Sequence, residues 1–252
     1  MKITFLGTGT STGIPSVGCN CEVCRSTDPK DKRLRCSVIV EVEEATLLID
    51  CGPDLRQQTL IHYPSKLDGV LITHEHFDHV GGLDDLRPFC YHKALNLYAE
   101  HYMLELLKQR VPYCFTENRY PGVPNFNLHE VTMNPFIVAN VEIQPIRVLH
   151  YKLPILGYRI GNMAYMTDVK DLPEEEYDKL KGLDTLIINA LRIKEHISHQ
   201  NLEQALEKIA RIAPKKAYLI HMSHEMGLHA EVDKQLPEGV SLAYDDLVVE
   251  SF

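Results

Sequence analysis

The feature that most constrains this chain is a strand-like segment that runs directly into a cluster of metal-binding side chains. Residues 69–72 are apolar and rich in branched side chains, and residues 73–79 have the sequence Thr-His-Glu-His-Phe-Asp-His. Alternate side chains of a strand point to one side, so these groups converge once the chain turns. Imidazole and carboxylate are ligands that zinc, manganese and iron accept. We therefore predict a site for two metal ions built from His74, His76, Asp78 and His79.

Length and composition fit one enzyme domain. The chain has 252 residues, of which 44% are hydrophobic, and this is enough for a large core. No linker-like segment interrupts it, so we expect a single domain over residues 1–252. The net charge of −9 argues against a broad electrostatic grip on nucleic acid, which is held mainly by clustered Lys and Arg. Nucleic acid is therefore not an expected partner.

The N-terminal sequence and the cysteines bear on location. Residues 1–7 form a strand pattern that enters a glycine turn rather than a signal peptide, and no run of about 18 apolar residues predicts a membrane span. Seven cysteines, an odd number, favour metal chemistry in a reducing compartment over a disulfide framework. We expect a cytoplasmic protein outside the membrane, and a homodimer as the commonest assembly of soluble enzymes.

Strand and helix patterns alternate along the chain. Strand patterns fall near residues 2–6, 37–42, 46–50, 69–73, 95–98, 141–148, 156–161, 163–167, 184–189, 216–221 and 247–251. Helical patterns fall near residues 54–62, 100–110, 174–181, 200–213 and 228–235. In the clearest helix, one apolar face is formed by Leu202, Ala205, Leu206, Ile209 and Ala213. The succession predicts an α/β fold in which two sheets pack face to face with helices outside.

The segment 111–127 breaks this alternation because it combines three prolines and a glycine with four aromatic residues. Long loops of this kind are often lids or substrate walls. The alternative is a loop that buries its own aromatic side chains against the domain. The sequence leaves both open.

Three further candidate ligands follow strand patterns downstream of the first cluster. They are His150, Asp168 and His221. A single His or Asp after a strand is more often a satisfied polar group or a helix cap. Three in succession after the first cluster indicate a common metal site at the strand ends.

This order of motifs resembles the metallo-β-lactamase superfamily, in which a strand-end Asp precedes His-x-His-x-Asp-His and then His, Asp and His follow. The resemblance implies an αββα sandwich of two mixed sheets over the whole chain. It also implies that one ion is held by His74, His76 and His150, and the other by Asp78, His79 and His221. Asp168 would bridge the two ions, and Asp50 would be a buried carboxylate that steadies the ligand loop.

Two residues of this pattern indicate the type of reaction. The true β-lactamases of the superfamily lack the bridging carboxylate, and a bridge holds two metals about 3.5–4 Å apart, a spacing suited to phosphoester hydrolysis. Asp168 therefore disfavours antibiotic hydrolysis. The oxygen-reducing flavodiiron members replace the second motif histidine by Glu, and the retained His76 favours hydrolysis over redox chemistry.

A second cluster places three thiols within six residues at Cys19, Cys21 and Cys24. Three thiolates need one more ligand to close a tetrahedral, structural zinc site. Cys36 and His224 are the candidates, and we favour His224 because it comes three residues after His221. Such a site would tie the N-terminal loop to the strand that leads to the metal pair.

The combination of both sites resembles one branch of the superfamily, the phosphoribosyl 1,2-cyclic phosphate phosphodiesterases, and so does the opening Phe-Leu-Gly-Thr-Gly-Thr-Ser of residues 5–11. Pyrroloquinoline quinone biosynthesis protein B and transfer-RNA 3′-processing nucleases share parts of that opening. The resemblance implies hydrolysis of a small phosphodiester, of the cyclic phosphoribosyl type, by hydroxide generated at two divalent ions (Zn, Mn or Fe), with one further structural Zn.

Such a reaction needs an acid that protonates the departing oxygen. His199, which precedes the helix pattern at 201, is our candidate, since the resembling family has a substrate-facing histidine there. His196 is its rival, and His229 is a third histidine that could reach the pocket. Asp78 is counted as catalytic as well as a ligand, because a carboxylate can orient a second ion or its water.

Three alternatives remain. A thioester or lactone hydrolase like glyoxalase II uses the same seven ligands, although the extra cysteine site favours the phosphodiesterase branch. A transfer-RNA nuclease is disfavoured because we find no flexible basic arm, and the only notable basic run spans residues 30–35. A non-catalytic relative of the quinone-cofactor biosynthesis group is disfavoured because all seven ligands are present.

Overall fold

The computed structural model describes residues 1–62, 64–116 and 120–251. The strands are β1 Lys2–Gly7, β2 Ser37–Val42, β3 Ala45–Ile49, β4 Gly69–Leu71, β5 Leu95–Ala99, β6 Phe126–Glu130, β7 Phe136–Val138, β8 Val141–His150, β9 Leu153–Ile160, β10 Met163–Met166, β11 Thr185–Asn189, β12 Lys216–Ile220, β13 Val240–Leu242 and β14 Val248–Glu250. The α-helices are α1 Glu22–Arg25, α2 Leu55–His62, α3 Phe77–Val80, α4 His101–Arg110, α5 Leu202–Ile212 and α6 His229–Val232. Short 3-10 helices occupy Pro29–Asp31, Leu83–Cys90, Pro112–Cys114, Glu174–Leu180, His224–Met226 and Asp233–Gln235.

Within these described ranges the strands form two mixed sheets of seven strands each. The first has the order β14-β1-β2-β3-β4-β5-β6, and the second has the order β13-β12-β11-β10-β9-β8-β7. The run from β3 to β6 is parallel, as is the run from β10 to β13, whereas the other neighbours are antiparallel. Crossover connections through helices make these parallel runs possible.

Three layers of buried apolar side chains hold the sheets and helices together. The middle layer joins both sheets, with Phe5 and Ile49 from the first and Tyr158 and Tyr165 from the second. One outer layer packs α2 and α4 on the first sheet, and the other packs α5 on the second. This confirms the predicted αββα sandwich of two mixed sheets with helices outside.

The strand periodicity explains why both faces of the first sheet are covered. In β3, Leu47 and Ile49 point into the layer between the sheets, and Leu48 points to the helices. Successive side chains of a strand alternate between its two faces, so a strand that is apolar at every position is buried on both sides. A continuous apolar run is therefore the sequence signature of strands such as β3.

Helix α5 has a strong N-terminal signal. Asn201 accepts from the backbone N–H of Gln204, and Gln204 reaches back to the N–H of Asn201, which is a capping box. Its buried residues are Ala205, Ile209 and Ile212. The expectation that Ala213 shares that face is wrong, because Ala213 is the exposed C-cap in a left-handed conformation. None of the helices in the described ranges is long and apolar enough to cross a bilayer.

The described part of the aromatic segment 111–127 turns aromatic side chains both inward and outward. Phe115 packs against the outer layer of the first sheet, and Phe126 begins β6. Tyr113 is partly exposed and donates a hydrogen bond to Asp84. Residues 117–119 of the predicted loop lie outside the described residues, so both interpretations of the loop stay open.

The basic run at residues 30–35 does not form a cationic patch. Arg33 is buried and donates to Thr8 Oγ1 and to the carbonyl oxygen of Ala243. Arg35 pairs with Asp54 at 2.8 Å. Two of the four basic side chains are therefore committed inside the fold.

Candidate metal centre

The predicted ligands lie at the carboxyl ends of strands, at one edge of the sandwich. In the first sheet, the neighbours β3 and β4 run parallel and lead to Asp50 and to the loop 73–79. In the second, β8, β10 and β12 share one direction and lead to His150, Asp168 and His221. Loops at strand ends carry functional side chains on a rigid support.

The structure brings the predicted ligands together in two groups of three. One ligand atom from each of His74, His76 and His150 lies within 4.8 Å of the others. The same holds for Asp78, His79 and His221. These are the two sets that the resemblance implied.

Asp168 lies between these groups. It forms a further metal-capable group with His74 and His79, one residue from each set. Its Oδ2 is 3.2 Å from His79 Nε2, and its Oδ1 is 3.3 Å from His221 Nε2. Burial opposes its ionisation, but His221 and His79 hold the pKa of Asp168 well below its usual range. The side chain is therefore a carboxylate placed to face both sets.

Buried ring nitrogens test whether metal ions fit here. Nε2 of His79 and both ring nitrogens of His221 are buried and have no hydrogen-bond partner among the described residues. Buried polar atoms are nearly always satisfied, so such atoms need an explanation. Burial, followed by the neighbouring His79, lowers the pKa of His74 well below its usual value and keeps the ring neutral. Neutral imidazole, as at His74, combined with carboxylates is a donor set that divalent ions accept.

A set of hydrogen bonds orients the histidines. Asp50 is fully buried and its Oδ2 lies 2.7 Å from Nδ1 of His79, while Thr73 donates to both of its oxygens at 2.9 Å. His150 Nδ1 lies 2.8 Å from the carbonyl oxygen of Ser198. Each bond leaves Nε2 of the ring free to face the site, which is how metal-ligating histidines are commonly fixed.

Three residues of the site have a left-handed backbone. The φ angles of Asp50, Asp168 and His221 are 60°, 56° and 57°. Residues other than glycine rarely adopt this conformation, which costs of order 1–3 kcal/mol and tends to occur at functional sites. It turns the backbone sharply at the end of each strand. The sequence gives no signal for this strain.

The cysteine cluster converges on one imidazole. Nδ1 of His224 lies 3.1, 3.4 and 3.3 Å from the sulfur atoms of Cys19, Cys21 and Cys24. One N–H cannot serve three sulfurs, whereas a tetrahedral zinc ion with bonds of about 2.0–2.3 Å would place these ligands about 3.5 Å apart. Of the two candidates for the fourth position, the structure brings His224 to the thiols, whereas Cys36 is buried between the sheets.

The three candidate acids occupy different positions. His199 Nε2 lies 2.9 Å from Oδ1 of Asp168. His196 contacts His199 rather than Asp168, and its Nδ1 lies 3.3 Å from Nδ1 of His199. His229 instead receives a hydrogen bond from Arg33, and it belongs to none of the metal-capable groups in the described residues.

Two contributors to the site were missed by sequence reasoning. Thr73 holds Asp50, and Ser198 places its carbonyl oxygen on His150 and its hydroxyl 3.0 Å from His199 Nδ1. Thr73 could have been found from its position directly before the histidine motif. The carbonyl of Ser198 could not, because every residue has one.

Comparisons with known proteins identify the family and the fold. The family model of the beta-lactamase superfamily domain matches residues 45–222. A crystal structure described as a new diphosphatase from the PhnP family is 36% identical, superposes with a TM-score of 0.93, and covers 100% of this chain and 98% of that one.

Two curated relatives are longer than this chain. An octanoyltransferase of Porphyromonas gingivalis is 50% identical over 250 residues, which are 98% of this chain and 51% of that protein. Coenzyme PQQ synthesis protein B of Rhodopseudomonas palustris is 31% identical over 124 residues, which are 43% of this chain and 38% of that protein. The chain thus spans about half or less of the length of these relatives. On the family match, the fold and the near-complete overlap with the diphosphatase, the chain belongs to the metallo-β-lactamase superfamily and resembles its PhnP-like branch.

Proposed function

We propose that the chain is a dinuclear metal-dependent phosphodiesterase that hydrolyses a small phosphodiester, for which a cyclic phosphoribosyl diester is the first candidate. The observation that carries this proposal is the position of Asp168, whose two oxygens contact His79 and His221 of one set and which also lies within 4.8 Å of a ring nitrogen of His74 from the other set. A shared carboxylate favours two closely spaced ions, and such pairs suit phosphoester hydrolysis. The similar structure described as a diphosphatase, at 36% identity, supports phosphoryl chemistry for this fold.

The assignment of ligands follows the two groups. His74, His76 and His150 would hold one ion, and the other would be held by Asp78, His79 and His221, with Asp168 between them. Zinc, manganese and iron all accept this donor set. When bound, such a pair polarises a phosphoryl oxygen and lowers the pKa of water.

The chain's own residues supply orientation and a proton. Asp50 fixes the ring of His79, and Asp78 and Asp168 bring negative charge that balances the ions. His199 is the proposed general acid, because its Nε2 is 2.9 Å from Asp168 and thus borders the reacting centre. His196 remains the rival, but its ring reaches the centre only through His199 or Ser198.

The second site is proposed as a closed, structural zinc site. Cys19, Cys21, Cys24 and His224 leave no ligand position for a substrate once four donors are used. His224 follows His221 by three residues in the sequence. Zinc there would join the N-terminal loop to the segment that carries a ligand of the metal pair.

A small-molecule partner is proposed rather than nucleic acid. The net charge is −9, and Arg33 and Arg35 are committed to internal contacts. A nucleic-acid site needs clustered, available cations. A cytoplasmic location, no membrane partner and a homodimer belong to the same proposal.

The second candidate is an acyl hydrolase acting on a thioester or lactone. The 50% identical relative is named an octanoyltransferase, and transfer of an octanoyl group is acyl chemistry. Only about half of that protein aligns with this chain, so its name need not describe the shared half. The extra cysteine site favours the phosphodiester, and a non-catalytic binding role is disfavoured by the complete ligand set.

The deciding experiment compares three substrates on the purified protein loaded with manganese or zinc. They are 5-phosphoribosyl 1,2-cyclic phosphate, a chromogenic phosphodiester and a glutathione thioester. The proposal expects phosphodiester turnover that Asp168→Asn abolishes, while the matched Asp246→Asn, which removes an exposed charge paired with His62, retains it. Turnover of the thioester alone would contradict the proposed phosphodiesterase function and favour the acyl hydrolase.

A further inference from the structure

The open side of the metal centre can be identified from exposure. Among its seven proposed ligands, all of which are described residues, only His76 is exposed. Its ring lies 5.1 Å from that of His150, whose ring lies 4.5 Å from that of His199. These three rings, which we call the histidine row, mark the side from which a substrate reaches the site.

Three large apolar side chains that are close neighbours of the histidine row along the chain are exposed. Phe77 comes directly after its first member, Tyr151 directly after its second, and Ile197 two residues before its third. Their exposed fractions are 66%, 49% and 69%. Single exposed apolar residues are ordinary, but a group of them beside a functional site indicates a binding surface. We call these three residues the apolar rim.

The backbone holds the rim residues in place. Tyr151 has a φ of 55°, in the turn between β8 and β9. A bulky residue is strained there, where glycine or asparagine would be relaxed. The ring of Phe77 lies against Gly81, since a Cβ atom at Gly81 would be 2.8 Å from its Cζ. Ile197 precedes Ser198, which is bonded to the histidine row.

We infer that the apolar rim binds a flat, apolar-faced group attached to the phosphodiester, an aromatic ring or a nucleobase. This inference rests on the proposed phosphodiesterase function and narrows its substrate class. Aromatic side chains bind rings by stacking and by burial of apolar surface. Lys152, whose Nζ lies 5.4 Å from the ring of Tyr151, adds a cation beside the rim that suits an anionic substrate.

The test uses two phosphodiesters that release the same leaving group. Bis(4-nitrophenyl) phosphate and methyl 4-nitrophenyl phosphate both release 4-nitrophenolate and differ in the group that stays on phosphorus. Their intrinsic reactivities differ, so the readout is the change in the ratio of their kcat/KM values between a variant and the wild type. We expect Phe77→Ala and Tyr151→Asn each to lower the ratio of aryl to methyl diester about tenfold, a typical loss for one stacking contact.

Matched variants separate the rings from general perturbation. Asparagine tolerates the left-handed backbone at residue 151, so Tyr151→Asn removes the ring without adding strain. Phe77→Tyr and Tyr151→Phe keep a ring and should keep the ratio. Ile197→Ala should lower it, whereas Ile137→Ala should not, because Ile137 is similarly exposed at 58% but lies on β7, at the edge of its sheet.

A third diester identifies the kind of ring. Thymidine 5′-(4-nitrophenyl phosphate) carries a nucleobase and releases the same phenolate. If the rim variants lose more kcat/KM for this diester than for the aryl diester, the rim binds a nucleobase. If they lose the same amount of kcat/KM for both, the rim binds flat rings in general.

Two results would contradict the inference about the rim without contradicting the proposed phosphodiesterase function. One is cleavage of both diesters with an unchanged ratio in Phe77→Ala and Tyr151→Asn. The other is a change of oligomeric mass in light scattering with an unchanged ratio, which would make the rim an interface between copies. If the metal-loaded wild type cleaves no phosphodiester, the proposed function fails instead.

Discussion

At the scale of residues, a small number of contacts fixes each reactive group. Asp50 belongs to none of the metal-capable groups of the described residues, yet it accepts hydrogen bonds from Thr73 and fixes Nδ1 of His79. His199 contacts Asp168 on one nitrogen and the Ser198 hydroxyl on the other. Substitutions at Asp50 and at His199 can therefore remove the orienting contact and the proton donor separately.

Removal of the proton donor should spare the metals. In His199→Gln, turnover of a phosphodiester is expected to fall about 10²–10⁴-fold, the usual contribution of a general acid. The metal content should match that of the wild type, because neither proposed set of three ligands contains His199. Steady-state kinetics and elemental analysis check this, with His129→Gln, a histidine stacked on Tyr98, as the control. Undiminished turnover would place the acid elsewhere.

Removal of the buried carboxylate should weaken metal binding. In Asp50→Asn, His79 loses its charged partner, and affinity for an ion at the Asp78, His79 and His221 group is expected to fall about 10–100-fold. The rate of metal loss to a chelator measures this. Asp68→Asn removes a carboxylate that pairs with Lys66 and should behave as wild type. Equal rates in all three proteins would contradict the role of Asp50.

At the scale of elements, the sequence predicts the central strands within a few residues but not three edge-side strands. Strands such as β3 are apolar on both faces, and that pattern is distinctive. β6, β7 and β13 each pair with only one neighbour and are mostly exposed or half-exposed, so their patterns resemble loops. The helix predicted at 174–181 is a 3-10 helix over Glu174–Leu180, a difference that side-chain periodicity does not resolve.

The site was more predictable than the periphery for a physical reason. Metal ligands such as His74 and Asp168 belong to a small set of residue types and lie at strand ends. The strands therefore determine where these ligands come together. The left-handed backbone at Asp168 and the carbonyl contact of Ser198 depend on the assembled fold. No local sequence pattern encodes either of them.

The cysteine site can be tested as a separate element. Cys21→Ser keeps a side-chain oxygen that can cap α1 but removes a thiolate, so the protein should lose one ion of about three and melt at lower temperature. The metal pair should remain. Elemental analysis and calorimetry check this, and Cys90→Ala, outside the metal-capable groups of the described residues, should retain every ion. Full retention of zinc by Cys21→Ser would contradict the site.

At the scale of the whole molecule, a buried polar network links the N-terminal loop to the C-terminal segment. Arg33 donates to Thr8 and His229, and Thr8 donates to Asp245, which also accepts from the N–H of Leu34 at 2.6 Å. Burial raises the pKa of Asp245 to about 7 despite these partners. The network therefore makes the stability of the fold depend on pH.

The folded protein holds a proton on Asp245 over a range where the unfolded chain, with a pKa near 3.8, has released it. The resulting stabilisation is complete below the unfolded pKa and is lost as the pH rises through about 7. We expect the free energy of unfolding to decline between pH 4 and 8 by about 1–3 kcal/mol more in the wild type than in Asp245→Asn. Denaturant unfolding across that range measures the difference, with Asp178→Asn, which removes an exposed charge paired with Lys181, as the control. Parallel pH profiles of the wild type and Asp245→Asn would contradict the prediction.

The most direct test of the central claim is the number of metal ions bound per chain. The wild type, loaded and then freed of excess metal, is expected to hold about three ions, two in the histidine and aspartate groups and one at the cysteines. Asp168→Asn should reduce occupancy of the pair and leave the cysteine site filled. A wild type that binds about one ion, lost on Cys21→Ser and unaffected by Asp168→Asn, would show a structural zinc module without a dinuclear centre and would contradict the account.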